Sequence, residues 1–105
     1  MASQKSRSLP DPPDHLSETS KEIWRSVVDK CKTPGRQLLL QTALESYDRV
    51  LQARQVIERD GLTWTSERSR AIHANPAVKI EREYLTIVVR IFNQLDLYWT
   101  SEMIL

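Results

Sequence analysis

Thr33 to Gly61 reads as a single long amphipathic helix, and no other stretch constrains the fold so strongly. Thr33 is a capping residue, and Pro34 follows at the first helical position, where a missing N–H costs nothing. Leu40, Ala43, Leu44, Tyr47, Val50, Leu51 and Ile57 recur at three-and-four spacing, while Gln41, Glu45, Asp48, Gln52, Gln55 and Arg59 fall on other sides. Gly61 supplies the stop. At 1.5 Å per residue such a helix is about 40 Å long, as long as a compact domain of this size is wide. It needs a partner along its whole length.

That partner lies downstream. Asn75-Pro76 is a second cap-plus-proline start, and Ala77, Ile80, Tyr84, Ile87, Val88, Ile91 and Leu95 continue with helical period. The β-branched run from Tyr84 to Ile91 also suits a strand, but a strand of some twenty residues would be abnormal. Two helices of similar length joined by about fifteen residues predict an antiparallel helical hairpin. Ile80, Tyr84, Ile87 and Ile91 are expected to face the long helix. Leu85, Val89 and Phe92 then point away, and a helix apolar on more than one side is buried on more than one side, which predicts a second copy of the chain as cover. Arg54 interrupts the long helix's stripe and fits the same interface if it meets an acid there; otherwise it is a surface arginine with a buried stem.

A shorter helix precedes the hairpin. It begins near Ser17, with Ser17 or Thr19 as cap, and Ile23, Trp24, Val27, Val28 and Cys31 form its apolar face. Trp24 is expected to anchor this helix across the hairpin. Residues 1–14 hold Ser, Lys, Arg and three prolines with little to bury, and read as a disordered arm that becomes extended near Pro10-Asp11-Pro12-Pro13. In the connection, Leu62-Thr63-Trp64-Thr65 and Ala71-Ile72-His73 favour extended structure around a polar tip, so a small β-hairpin is expected, pinned by Leu62 and Trp64 against helix ends or another subunit. The segment 98–105 is too apolar for an ordinary tail, so Tyr98 and Trp99 should dock on the chain itself or on a partner. The fold class is therefore mainly α, a short helix on a long helical hairpin. Its parts are an arm at 1–14, a helical domain at 15–97 and an apolar segment at 98–105.

Chemistry is thin. The chain has one cysteine and two histidines, so neither a disulfide within the chain nor a Cys/His metal cluster can form, and no metal or cofactor is expected. Nucleotide-binding glycine loops, HExxH and any Ser/His/Asp set are absent, which points to a non-enzyme. Cys31 reads as a small buried hydrophobe, since no base lies near it. Without an apolar leader or a run able to span a bilayer, the expectation is a cytoplasmic protein with no membrane contact. The formal net charge of +1 argues against a strong bulk attraction to nucleic acid. Cations nevertheless gather on the arm (Lys5, Arg7), on the first helix and its exit (Lys21, Arg25, Lys30, Lys32, Arg36) and in the connection (Arg68, Arg70). A short helix, a turn and a longer helix also suggest a helix-turn-helix reader with Arg36 and Gln37 at the groove, but Leu38, Leu39 and Leu40 want burial there.

The order of these features, with "PPDHLSETSKEIWRSVV", "ALESYDRVLQARQVIERDGLTW", "HANPAV" and "LTIVVRIFNQLDL", resembles the small terminase subunits of tailed phages over Pro12 to Leu97. Members often continue past the last helix with a Gly-Leu-Thr-Pro-like turn; here Leu95-Asp96-Leu97-Tyr98-Trp99 stands in that place. The resemblance implies a protein that recognises double-stranded viral DNA, assembles into a ring-like homo-oligomer and hands DNA to the terminase large subunit, which holds the ATPase and nuclease. It places Lys5, Arg7, Lys21, Arg25, Lys30, Lys32 and Arg36 on the DNA-facing surface, with Arg68 and Arg70 as second choice. Arg54, Leu85, Val89, Phe92, Tyr98 and Trp99 are the interface candidates. A helical adaptor binding only protein, and a dimeric prophage regulator, are the alternative readings.

Overall fold

The computed structural model describes residues 9–97. Helix α1 spans Glu18–Val27 and passes through a 3-10 turn, Val28–Lys30, into helix α2, Pro34–Asp60. Strands β1, Thr63–Thr65, and β2, Ile72–Ala74, lead to helix α3, Pro76–Gln94.

Each helix starts where the local chemistry dictates. The Ser17 side chain accepts from the Ser20 amide, Thr33 from the Arg36 amide and Asn75 from the Ala77 amide, with Pro34 and Pro76 at the first helical positions. Gly61, at φ +86°, ends α2 in a backbone region that a side chain disfavours.

α2 and α3 pack antiparallel, with α1 along the first half of α2. On α2 the facing stripe is Leu40, Ala43, Tyr47, Val50, Arg54 and Ile57; on α3 it is Ala77, Glu81, Tyr84, Val88, Ile91 and Leu95. Both alternate steps of three and four, the spacing that keeps two nearly parallel helices in register. Toward the ribbon end of the hairpin the stripes carry charge instead of hydrocarbon: Arg54 Nε donates to Glu81 Oε2 at 2.7 Å, both side chains being partly buried. The acid that Arg54 meets thus belongs to its own chain, which corrects the expected pairing across a subunit interface. The expected positions Ala77, Tyr84, Ile87, Val88, Ile91 and Leu95 do turn inward, but Glu81 takes a stripe position in place of the expected Ile80, and the inward face widens to include Phe92. Ile80 turns to solvent, whereas Phe92 is 0% exposed at the centre of the core with Leu40, Leu44, Val50 and Val88. Phe92 is therefore a core residue and leaves the set of interface candidates.

α1 is held by a feature that local periodicity does not reveal. Asp48, in the middle of α2, accepts the Ser17 amide at 2.9 Å and the hydroxyls of Ser17 and Ser20 at 2.6 Å each. Its carboxylate thereby completes the cap of α1 at the positive end of that helix. Trp24 anchors the other side, buried, with its indole N–H donating to the Pro10 carbonyl at 2.8 Å, so that the proline-rich segment lies across α1. Asp48→Ala is expected to cost about 2–4 kcal/mol, because three donors lose a charged acceptor. The check is urea unfolding, read as a lower midpoint at unchanged slope; a loss below about 1 kcal/mol would mean that apolar packing alone docks α1. Asp48→Asn should recover part of the loss, since an amide oxygen still accepts.

β1 and β2 form the expected antiparallel ribbon, pairing Thr63 with Ala74, Trp64 with His73 and Thr65 with Ile72. It is tethered by Asn75, whose amide side chain donates to the Gly61 carbonyl at 2.7 Å and whose backbone N–H reaches the Leu62 carbonyl at 2.8 Å. All six strand residues are exposed, and so is Leu62. The ribbon stands away from the helix ends, so of the two expected anchorages for Leu62 and Trp64, helix ends or another subunit, the first does not hold.

Candidate nucleic-acid interface and subunit surfaces

The cations separate into two groups at opposite ends of α2. At its start, the last turn of α1 and the segment behind it present Arg25, Lys30 and Lys32, all exposed. Among the described residues no carboxylate lies within ion-pair distance of any of the three. Lys21, farther back on α1, is mostly covered and pairs with Glu18 at 3.6 Å. Arg36 turns inward: its guanidinium donates to the Leu95 carbonyl at 2.9 Å, tying the start of α2 to the end of α3. That carbonyl lies just past the last turn of α3, so Arg36 serves first as a helix-end partner. Leu38 and Leu39, expected to seek burial, are exposed beside it.

About 40 Å away, at the far end of α2, the ribbon tip carries Arg68 and Arg70, also exposed and without an ion-pair partner among the described residues. Arg70 takes φ +59° in the tip turn. The two groups cannot form one patch on a single protomer. Lys5, Arg7, Tyr98 and Trp99 lie outside the described residues.

Grooves on the helical surface include three lined by described residues. One, about 550 Å³, runs past His15, Glu45 and Asp48 to Arg49, Gln52 and Tyr84. His15 Nε2 and Glu45 Oε2 stand 2.6 Å apart, and Gln41 donates to the same carboxylate oxygen at 3.0 Å. The Gln41 hydrogen bond, followed by that of His15, holds the Glu45 carboxyl below its ordinary range, so Glu45 stays ionised through mildly acid pH. A second groove, about 520 Å³, continues from the shared residues Arg49, Gln52 and Tyr84 into an apolar floor of Ala53, Val56, Ala77 and Ile80. The third lies on the outer side of α3, where Leu85 and Val89, both half-buried, sit between Arg82 and Arg90. Leu85 also packs against the core, so the surplus apolar face of α3 is narrower than its sequence suggests.

Nothing in this set resembles a catalytic centre. Burial pushes the Cys31 thiol up, Arg36 offsetting this only in part, so the sulfur stays protonated beneath α1. Among the described residues there is no group of three or more His, Cys, Asp or Glu able to hold a metal ion, and no helix is long and apolar enough to cross a membrane.

The contacts that sequence reading missed are Asp48 with Ser17 and Ser20, and His15 with Glu45. The partners are some thirty residues apart, and only the packing of α1 on α2 brings them together.

Comparison with curated proteins and with solved structures gives no match. The family model described as phage terminase, small subunit, matches residues 20–103. That span begins in α1, takes in the helical hairpin with its ribbon, and covers most of the chain. The chain therefore belongs to the phage terminase small subunit family.

Proposed function

We propose that this protein is the non-catalytic, DNA-recognising subunit of a phage packaging machine, working in the host cytoplasm as a homo-oligomer that delivers double-stranded viral DNA to the large terminase subunit. The observation that carries the DNA half of this reading is the exposed trio Arg25, Lys30 and Lys32, which no described carboxylate neutralises. Lys21 and the arm residues Lys5 and Arg7 belong to the same half of the chain and extend the surface in this proposal, while Arg36 steadies it from beneath. One protomer offers few phosphate contacts. Several copies arranged around a ring sum them, which reconciles DNA binding with a net charge of only +1. Leu85 and Val89, with Tyr98 and Trp99, supply apolar surface for subunit contacts.

The test joins two measurements on the purified full chain. Light scattering on a sizing column should give a mass of many subunits that persists on dilution. Duplex DNA should retain the protein at low salt and release it steeply as salt rises. An oligomer indifferent to DNA at 50 mM salt would favour a protein-only adaptor. A dimer bound to one short duplex site would favour a transcriptional regulator.

A further inference from the structure

The ribbon is a poor structure in isolation. Two strands of three residues are marginal in water, yet this one holds out Leu62, Trp64 and Ile72 at 63%, 51% and 73% exposure. Leu62 and Trp64 are two residues apart and share a face; His73, paired with Trp64, stacks on the indole at 4.3 Å and holds it in place. The tip beyond adds Arg68 and Arg70, with Glu67 as its one acid. Seen along its length, the ribbon is apolar at the base and cationic at the end.

The two joined grooves between α2 and α3 have the matching pattern. Their shared wall of Arg49, Gln52 and Tyr84 separates an apolar end, floored by Ala53, Val56 and Ile80, from an end where the carboxylates of Glu45 and Asp48, with His15 beside Glu45, face the single guanidinium of Arg49. Val56 to Glu45 is eleven helical residues, about 16 Å. Trp64 to Arg68 runs from mid-strand into the tip turn, where the Arg70 amide donates to the Ser66 carbonyl, and the long arginine side chains carry the reach beyond the turn. The outer groove of α3 offers no such match, because its lining holds Arg82 and Arg90 and no carboxylate, whereas Arg49 in the α2–α3 groove is outnumbered by Glu45 and Asp48.

From this complementarity we infer that the ribbon of one protomer docks into the α2–α3 groove of a second copy, with Leu62 and Trp64 against Ala53, Val56 and Ile80, and Arg68 and Arg70 toward Glu45 and Asp48. The contact is head-to-tail, joining different surfaces of the two protomers, and such contacts close into rings when the rotation allows. It rests on the oligomer reading above and gives that reading a specific interface. Arg68 and Arg70 thereby become subunit contacts, and DNA is left to the opposite end of α2.

The experiment compares native mass over a concentration series for the full-length wild type, Trp64→Ala, Arg68→Glu/Arg70→Glu, and the latter combined with Glu45→Arg. Helical circular dichroism confirms that each variant is folded, and each is also tested for retention on duplex DNA. The first two variants should dissociate at concentrations at least tenfold higher than the wild type does, and Glu45→Arg should restore a good part of the assembly lost by the charge-reversed tip. Variants that keep the wild-type mass and dilution behaviour would overturn the ribbon contact while leaving the oligomer intact. Loss of DNA retention at unchanged mass would assign the tip to DNA and overturn the contact as well. A monomeric wild type would overturn this inference and the oligomer reading together.

Discussion

Replacing Phe92 with alanine is expected to cost about 3–5 kcal/mol, the largest loss of stability from any single truncation in the chain. The phenyl ring is wholly enclosed, packed in the cluster that contains Leu40, Leu44, Val50 and Val88. Removing it forfeits its transfer free energy and leaves a cavity that the surrounding α2, α3 and α1 side chains can close only in part. A domain of this length has about 5–15 kcal/mol of stability in total, so the variant should sit near its unfolding threshold. The measurement is denaturant unfolding of wild type and variant at equal protein concentration. It also separates two roles for this position. A core residue lowers the unfolding midpoint of the protomer, whereas an interface residue yields a folded, smaller species on a sizing column. A folded monomer with a near-normal midpoint would return Phe92 to the interface and contradict the packing described here. Leu85→Ala and Val89→Ala are the contrasting pair, since both side chains are half-exposed and should cost far less.

The second large effect concerns DNA. Reversing Arg25, Lys30 and Lys32 together to glutamate should lower retention on duplex DNA by about 10²–10³-fold at 0.1 M salt, with a shallower salt dependence. Each cation that meets a phosphate releases a counterion, so removing three contacts per protomer removes a term that multiplies across an oligomer. The protomer fold should survive, because the three side chains are exposed and make no described ion pair whose loss would leave a buried charge. Arg36 is an unsuitable member of that set. Its guanidinium holds the Leu95 carbonyl, so Arg36→Glu would loosen the end of α3 and confuse a folding defect with a binding defect. Unchanged retention in the triple variant, with native mass preserved, would move the DNA surface away from the exit of α1.

Much of the fold was legible locally. Thr33-Pro34 and Asn75-Pro76 announced the starts of α2 and α3, Gly61 announced the end of α2, and the alternation around Trp64 and Ile72 announced the ribbon. These signals work because capping, proline geometry and strand alternation are properties of a few neighbouring residues. Trp24 as an anchor and Cys31 as a buried thiol were legible for the same reason, since bulk and polarity at helical spacing fix which face turns inward.

The less legible part was the choice among near-equivalent faces. On α3 the apolar residues from Tyr84 to Phe92 cover most of the circumference, so periodicity permits more than one inward stripe. In the packed chain Phe92 turns inward and Ile80 outward, with the partly buried pair of Arg54 and Glu81 on the same face, and an ion pair spanning 27 residues leaves no trace in a hydrophobic pattern. Asp48 looked like an ordinary polar residue on the outer side of α2 until α1 brought Ser17 and Ser20 to it. Leu38, Leu39, Leu62 and Trp64 show the converse, for hydrophobicity states that a side chain gains from burial without stating that one chain can supply the cover. The sequence by itself determined the helices, their starts and the end of α2, because those follow from hydrogen bonds and rotamers within a few residues of one another, and the short connection between two long apolar stripes determined their antiparallel pairing. Tertiary structure alone decided which face of α3 is core and what Arg54, Asp48 and Arg36 hold. Those outcomes depend on which distant side chains meet, and only the packed chain brings them within a few ångströms.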